Sequence, residues 1–68
     1  MKTTFNVLGM VSNHCVAEVK SALLGLEGVE QVEVDLTSRL AVVTGEVTIE
    51  EIVNTLAVLG YAATIKKD

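Results

Sequence analysis

Apolar positions along this chain follow a period of two in some stretches and a helical period in others, and the switches between them outline six elements. From Thr3 to Leu8, Phe5 and Val7 fall on one side and Thr4 and Asn6 on the other, which predicts a strand. Gly9 through Asn13 reads as a loop. From His14 to Leu26 the pattern is helical: Val16, Val19, Leu23 and Leu26 form a stripe that Cys15 and Ala22 widen. Gly25 and Gly28 flank the end of this helix, and Gly28 suits the left-handed residue that closes it.

Alternation returns from Gln31 to Leu36, with Val32, Val34 and Leu36 on one face and Glu33 and Asp35 on the other. The polar Thr37-Ser38-Arg39 predicts a tight hairpin into Leu40 to Thr44, ended near Gly45. Thr48 with Glu51 spells a capping box ahead of a second stripe made by Ile49, Ile52, Val53, Leu56 and Leu59. Gly60 stops that helix, and Tyr61 to Lys66 forms a last strand before the basic pair Lys66-Lys67. The order is βαββαβ with two one-faced helices. Its economical assembly is an α+β, ferredoxin-like sandwich, a four-stranded antiparallel sheet with both helices on one face. Residues 1–68 read as a single domain.

Composition narrows what such a sandwich can do. Half of the 68 residues are apolar, but there is one Phe, one Tyr and no Trp, so the core is aliphatic. A layer this thin holds no enclosed catalytic cavity, which places any chemistry on a surface loop. A net charge of −4 argues against nucleic acid, which needs a basic face, and against an anionic membrane surface. No apolar run approaches roughly 18 residues and no leader pattern opens the chain, so the expectation is a cytoplasmic protein without membrane insertion. The lone cysteine cannot form an internal disulfide and fits that reducing compartment.

Candidate chemistry gathers in Gly9-Met10-Val11-Ser12-Asn13-His14-Cys15, where the only cysteine and the only histidine stand side by side at the expected start of the first helix. Free N–H groups and the dipole at a helix N-terminus favour a thiolate. With Gly28-Val29 ahead of Val32 and Val34, and Gly60-Tyr61 ahead of the last strand, this stretch resembles the heavy-metal-associated domains. Those are soluble copper chaperones and the N-terminal metal-binding modules of soft-metal P-type ATPases. The family loop reads Gly-Met-Thr-Cys-x-x-Cys, and two thiolates hold Cu(I) in an exposed site from which it passes to a partner by ligand exchange. The resemblance covers nearly the whole chain. It implies that Cys15 matches the second cysteine, while Ser12 stands in the place of the first and Val11 in that of the threonine. A serine hydroxyl does not ionise at neutral pH and is a hard, weak donor for Cu(I), so the site implied has one thiolate.

Each residue also has a plainer reading. Cys15 lies in the widened stripe, and free cysteine packs well. His14 offers an imidazole, but neighbouring helical residues diverge by about 100°, which suits an exposed spacer better than a second ligand beside Cys15. Ser12 is a good N-cap, in competition with Asn13, and a weak oxygen donor at most. Met10 carries a thioether, and the family's equivalent packs beneath the loop. Tyr61 corresponds to a family tyrosine near the metal loop, where it shields the site or simply packs at a strand start.

These readings support three functions. The first is a soft-metal binding and transfer module, for Cu(I) above Zn(II), Cd(II) or Hg(II), in which a second copy or a P-type ATPase completes the one-thiolate site. The second is a degenerate or deliberately disabled, metal-free form of such a domain. The third is a ferredoxin-like interaction module that binds no metal. An enzyme is disfavoured: acylphosphatases share the topology but need an arginine in the loop after the first strand, whereas Arg39 falls in the hairpin turn.

Overall fold

The computed structural model describes residues 2–66. The elements are β1 (Lys2–Leu8), α1 (Asn13–Leu24), β2 (Val29–Asp35), β3 (Leu40–Gly45), α2 (Ile49–Val58) and β4 (Ala62–Ile65). They build one four-stranded sheet in the order β2-β3-β1-β4, and every neighbouring pair is antiparallel. This is the ferredoxin-like sandwich that the period changes predict. Phe5 sits at its centre, opposite Ala41 of β3 on one side and Ile65 of β4 on the other.

Strand alternation decides which face is covered. Phe5, Val7, Val32, Ala41, Val43 and Ala63 point to one side and are buried there against Val19 and Leu23 of α1 and Ile52 and Leu56 of α2. Among the described residues no charged side chain is buried, so the core depends chiefly on apolar packing. Met10, only 3 % exposed, continues this core into the loop after β1.

Several boundaries differ from the pattern by a residue or two. The apolar stripe of α1 reaches Leu26, but the helix ends at Leu24, and Gly25 takes the cap position in a right-handed conformation. Leu26 still packs on the core by way of a turn, its N–H bonded to the Leu23 carbonyl at 3.1 Å. Gly28 does have a positive φ of 92°, but it does not close the helix. It lets two backbones meet: its carbonyl accepts the Glu46 N–H at 2.8 Å, and a Cβ there would strike the Glu46 carbonyl oxygen. β2 begins at Val29, two residues early, because a register irregularity between Val29 and Gln31 interrupts the alternation. At the other end β4 stops at Ile65, Lys66 lies just beyond it, and Lys67 falls outside the described residues.

The end of α2 sets the course of the chain into β4. Leu59 is the cap residue and Gly60 turns left-handed with a φ of 97°. Gly60 N–H bonds to the Ala57 carbonyl at 3.0 Å and Tyr61 N–H to the Leu56 carbonyl at 2.9 Å. This pairing is a Schellman motif. It brings Tyr61 back over the sheet at the end where β1 gives way to α1.

Candidate metal centre

Three segments meet at that end of the sandwich: the loop from Gly9 to Ser12, the first turns of α1, and the turn that delivers Tyr61. Gly9 has a φ of 110°, and a Cβ on it would lie 3.1 Å from Cδ1 of the Tyr61 ring. The ring therefore lies on the loop backbone, and Tyr61 is only 7 % exposed. Its hydroxyl donates to Oε1 of Glu18 at 2.8 Å, which ties the end of α2 to the second turn of α1. Glu18 is a site residue that the sequence reading missed. Its signal was the spacing: three positions beyond Cys15, it lies one helical turn along the same side.

Cys15 is half-buried, a free thiol on the first turn of α1. The Ser12 hydroxyl points to its Sγ at 3.8 Å. Hydrogen bonding from Tyr61 is the largest influence holding the Cys15 thiol below its ordinary range, followed by the Val11 backbone and the Ser12 hydroxyl. The partnership with Cys15, and then that with Glu18, push the Tyr61 phenol above its own ordinary range. The phenol has a single proton, and the 2.8 Å geometry gives it to Glu18, so its support of the sulfur is shared. The N-terminal dipole of α1 acts on Cys15 in the same direction.

The structure corrects the expected role of the Ser12 side chain. Ser12 does hold the N-cap position with an extended backbone, and its carbonyl accepts the Val16 N–H at 3.2 Å. Its side chain makes no capping bond, because the hydroxyl is turned to sulfur. Asn13 is the first helical residue. His14 is next, exposed, one helical step from Cys15. Among the described residues no three His, Cys, Asp or Glu side chains converge as a ligand set. Met10 lies beneath the loop, within the core cluster. The donor that faces the Cys15 thiol is thus the Ser12 hydroxyl, with the His14 imidazole exposed beside them.

Comparison with known proteins bears on what such a loop carries. The family model for the heavy-metal-associated domain matches residues 4–62. The chain is 40% identical over 68 residues to the copper chaperone CopZ of Enterococcus hirae, covering 96% of this chain and 99% of that protein. It is 38% identical over 63 residues to a copper-exporting P-type ATPase of Vibrio cholerae, where the match covers 91% of this chain but 7% of the ATPase. The crystal structure of oxidized MerP from Ralstonia metallidurans superposes with a TM-score of 0.93 at 31% identity, over 98% of this chain and 97% of that one. Among the described residues no helix is long and apolar enough to cross a membrane.

Proposed function

The chain belongs to the heavy-metal-associated domain family, and from that premise we propose that it binds a soft metal ion, Cu(I) before Zn(II), Cd(II) or Hg(II), and passes it to another protein chain. The observation that carries this reading is the position of Cys15, half-buried on the first turn of α1, with Tyr61 and Ser12 holding its thiol below the ordinary range. A thiolate is the donor that Cu(I) selects, and a depressed pKa lowers the cost of shedding the thiol proton when metal binds. Identity to a copper chaperone along its whole length favours copper as the cargo.

Ser12 takes the place of the first cysteine of the family loop in this reading. Its hydroxyl lies where a second sulfur is needed, 3.8 Å from Sγ, but it stays protonated and hard toward Cu(I). A two-coordinate ion on Cys15 therefore draws its second thiolate from another chain, either another copy or the metal-binding part of a soft-metal P-type ATPase. Transfer runs by ligand exchange: the incoming thiolate bonds before Cys15 leaves. No catalytic step is involved, and a reducing cytoplasm is the compartment that keeps Cys15 a thiol.

The same Ser12 geometry favours a second reading, a domain whose site has been disabled and which holds no metal. One titration separates the two. Cu(I) delivered against a competing chelator should load wild type to one ion per two chains, Ser12→Cys to one per chain, and Cys15→Ala to none. Copper uptake by Cys15→Ala equal to wild type would sink the transfer reading. Uptake by Ser12→Cys alone would establish the disabled one.

A further inference from the structure

We infer that the groove between α1 and the edge strand β2 is a docking site for an extended segment of another protein. That segment alternates apolar and basic residues and adds to the sheet as a fifth strand. The side chains that α1 gives to the groove are not those of the metal centre. Asn13, Val16 and Lys20 fall along one side of the helix, while Cys15 and Glu18 lie on the other side of the buried pair Val19 and Leu23. The inference therefore goes beyond the metal reading and does not need it.

β2 closes one side of the sheet, paired with β3 alone, so alternate N–H and C=O groups along its outer edge have no strand partner. Between β2 and α1 runs an open groove of about 660 Å³. Val16, Val34 and Leu36 give it an apolar floor, and all three are half-buried against the core. Proteins commonly blunt an edge with a proline or cover it with a helix or loop. The chain has no proline, and the space beside β2 is left open over apolar side chains. A register irregularity between Val29 and Gln31 confines regular pairing to residues 31–35. The site thus fits a segment of about five residues.

Charge decides what the added strand carries on each face. Val32 and Val34 face the helices, whereas Gln31, Glu33 and Asp35 face the uncovered side of the sheet. There Glu33 borders a shallow hollow with Gln31, Val42 and Thr44. Side chains of a neighbouring strand stand about 4.5–5.5 Å away, so lysine or arginine at alternate positions meets Glu33 and Asp35. The intervening side chains enter the groove, where apolar ones match the floor. Lys20 stands at the rim of the groove and opposes a cation inside it. A slip of one residue would turn the bases toward Lys20 and the apolar side chains to solvent. The charges therefore set the register as well as the partner.

The same charges disfavour a second copy. Two β2 edges set side by side bring Glu33 and Asp35 against their own kind. β4, the other edge of the sheet, presents Ala62 and Thr64 on the uncovered face and one base, Lys66, just beyond its end. That leaves one of the two acids unmatched. A segment from a different protein is the better occupant. So short a strand buries well under the roughly 800 Å² per partner of a stable complex, which makes the docking reversible.

Titration of the whole chain, reduced and metal-free, with short capped peptides and backbone-amide NMR tests this. A peptide alternating valine and lysine should shift and protect the amides of residues 31–35 and perturb Val16 and Leu36. A valine–glutamate peptide should bind about tenfold more weakly or worse. The valine–lysine peptide should lose as much once the amides along its pairing edge are N-methylated. Glu33→Lys combined with Asp35→Lys should reverse the preference, and the gain of the glutamate peptide shows that this variant is folded. No binding of the valine–lysine peptide at millimolar concentration overturns the docking site. Equal binding of the two peptides overturns the charge rule, and indifference to N-methylation overturns strand addition. Shifts centred on Glu46, Glu50 and Glu51 place the peptide at the acidic end of the sheet and equally overturn the groove. Self-association of wild type through residues 31–35 gives the edge to a second copy and overturns the partner assigned.

Discussion

The two helices of this domain begin in opposite ways. At α2, Thr48 accepts the Glu51 N–H at 3.1 Å, and Glu50 and Glu51 place acid in the first turn, where the dipole favours it. At α1, Ser12 occupies the same position but makes no side-chain cap, and the first turn contains no acid. The hydroxyl that would cap the helix faces sulfur instead. One start is arranged for stability. The other leaves its N–H groups and positive dipole end to act on Cys15, at the expense of the capping energy. A local rule of helix design is broken beside Cys15.

The strongest challenge to this contrast removes what the two starts share. Phe5 is fully buried between β3 and β4. Phe5→Ala should cost about 3–5 kcal/mol, enough to unfold a domain of this size, and thermal denaturation should show both helices melting together. Separate transitions for α1 and α2 would mean that the two starts do not depend on a common core.

The comparison itself is read by truncating each cap. Thr48→Ala should destabilise by about 1 kcal/mol, while Ser12→Ala should fall within about 0.5 kcal/mol of wild type. Urea unfolding of the pair measures this directly, and equal losses would erase the asymmetry. Placing acid at the bare start sharpens it further. Asn13→Asp should add about 0.3–1 kcal/mol through the dipole, yet raise the Cys15 pKa, because a carboxylate beside a thiolate opposes its charge.

The smallest effect is one of titration. Tyr61 is the largest influence lowering the Cys15 pKa, so Tyr61→Phe should move the alkylation midpoint of Cys15 upward, toward that of an ordinary thiol. The same shift sets the sign for stability. With the folded pKa below the unfolded one, ionised Cys15 favours the fold above the pH at which the unfolded thiol ionises. That gain is lost as pH falls through the folded value. An unmoved midpoint in Tyr61→Phe would leave the lowering to the Val11 backbone, Ser12 and the dipole.

Local patterns in the sequence made most of the fold legible. The alternation around Phe5 and Val7 and the Thr48 cap depend on neighbours a few residues away, and both appear as read. The capping box is half formed: Glu51 receives a bond from the Thr48 hydroxyl at 3.3 Å instead of reaching back to its N–H. What stayed hidden depends on distant partners. Gly28 serves Glu46 across the sandwich, and the stripe through Leu26 continues into a turn because apolar spacing does not distinguish a helix from the turn that extends its contact. At the site, Cys15 stood out by its uniqueness and Tyr61 by the family pattern. Glu18 belongs to the site through Tyr61, 43 residues on, a partner that no local pattern names.

The position of Tyr61 also determines how the domain absorbs and emits light. The chain has one tyrosine and no tryptophan, so nearly all its near-ultraviolet absorption and emission comes from the ring that lies on Gly9 and bonds Glu18. Intrinsic fluorescence, which in most proteins averages over scattered rings, here reports the surroundings of one thiol, with no label attached.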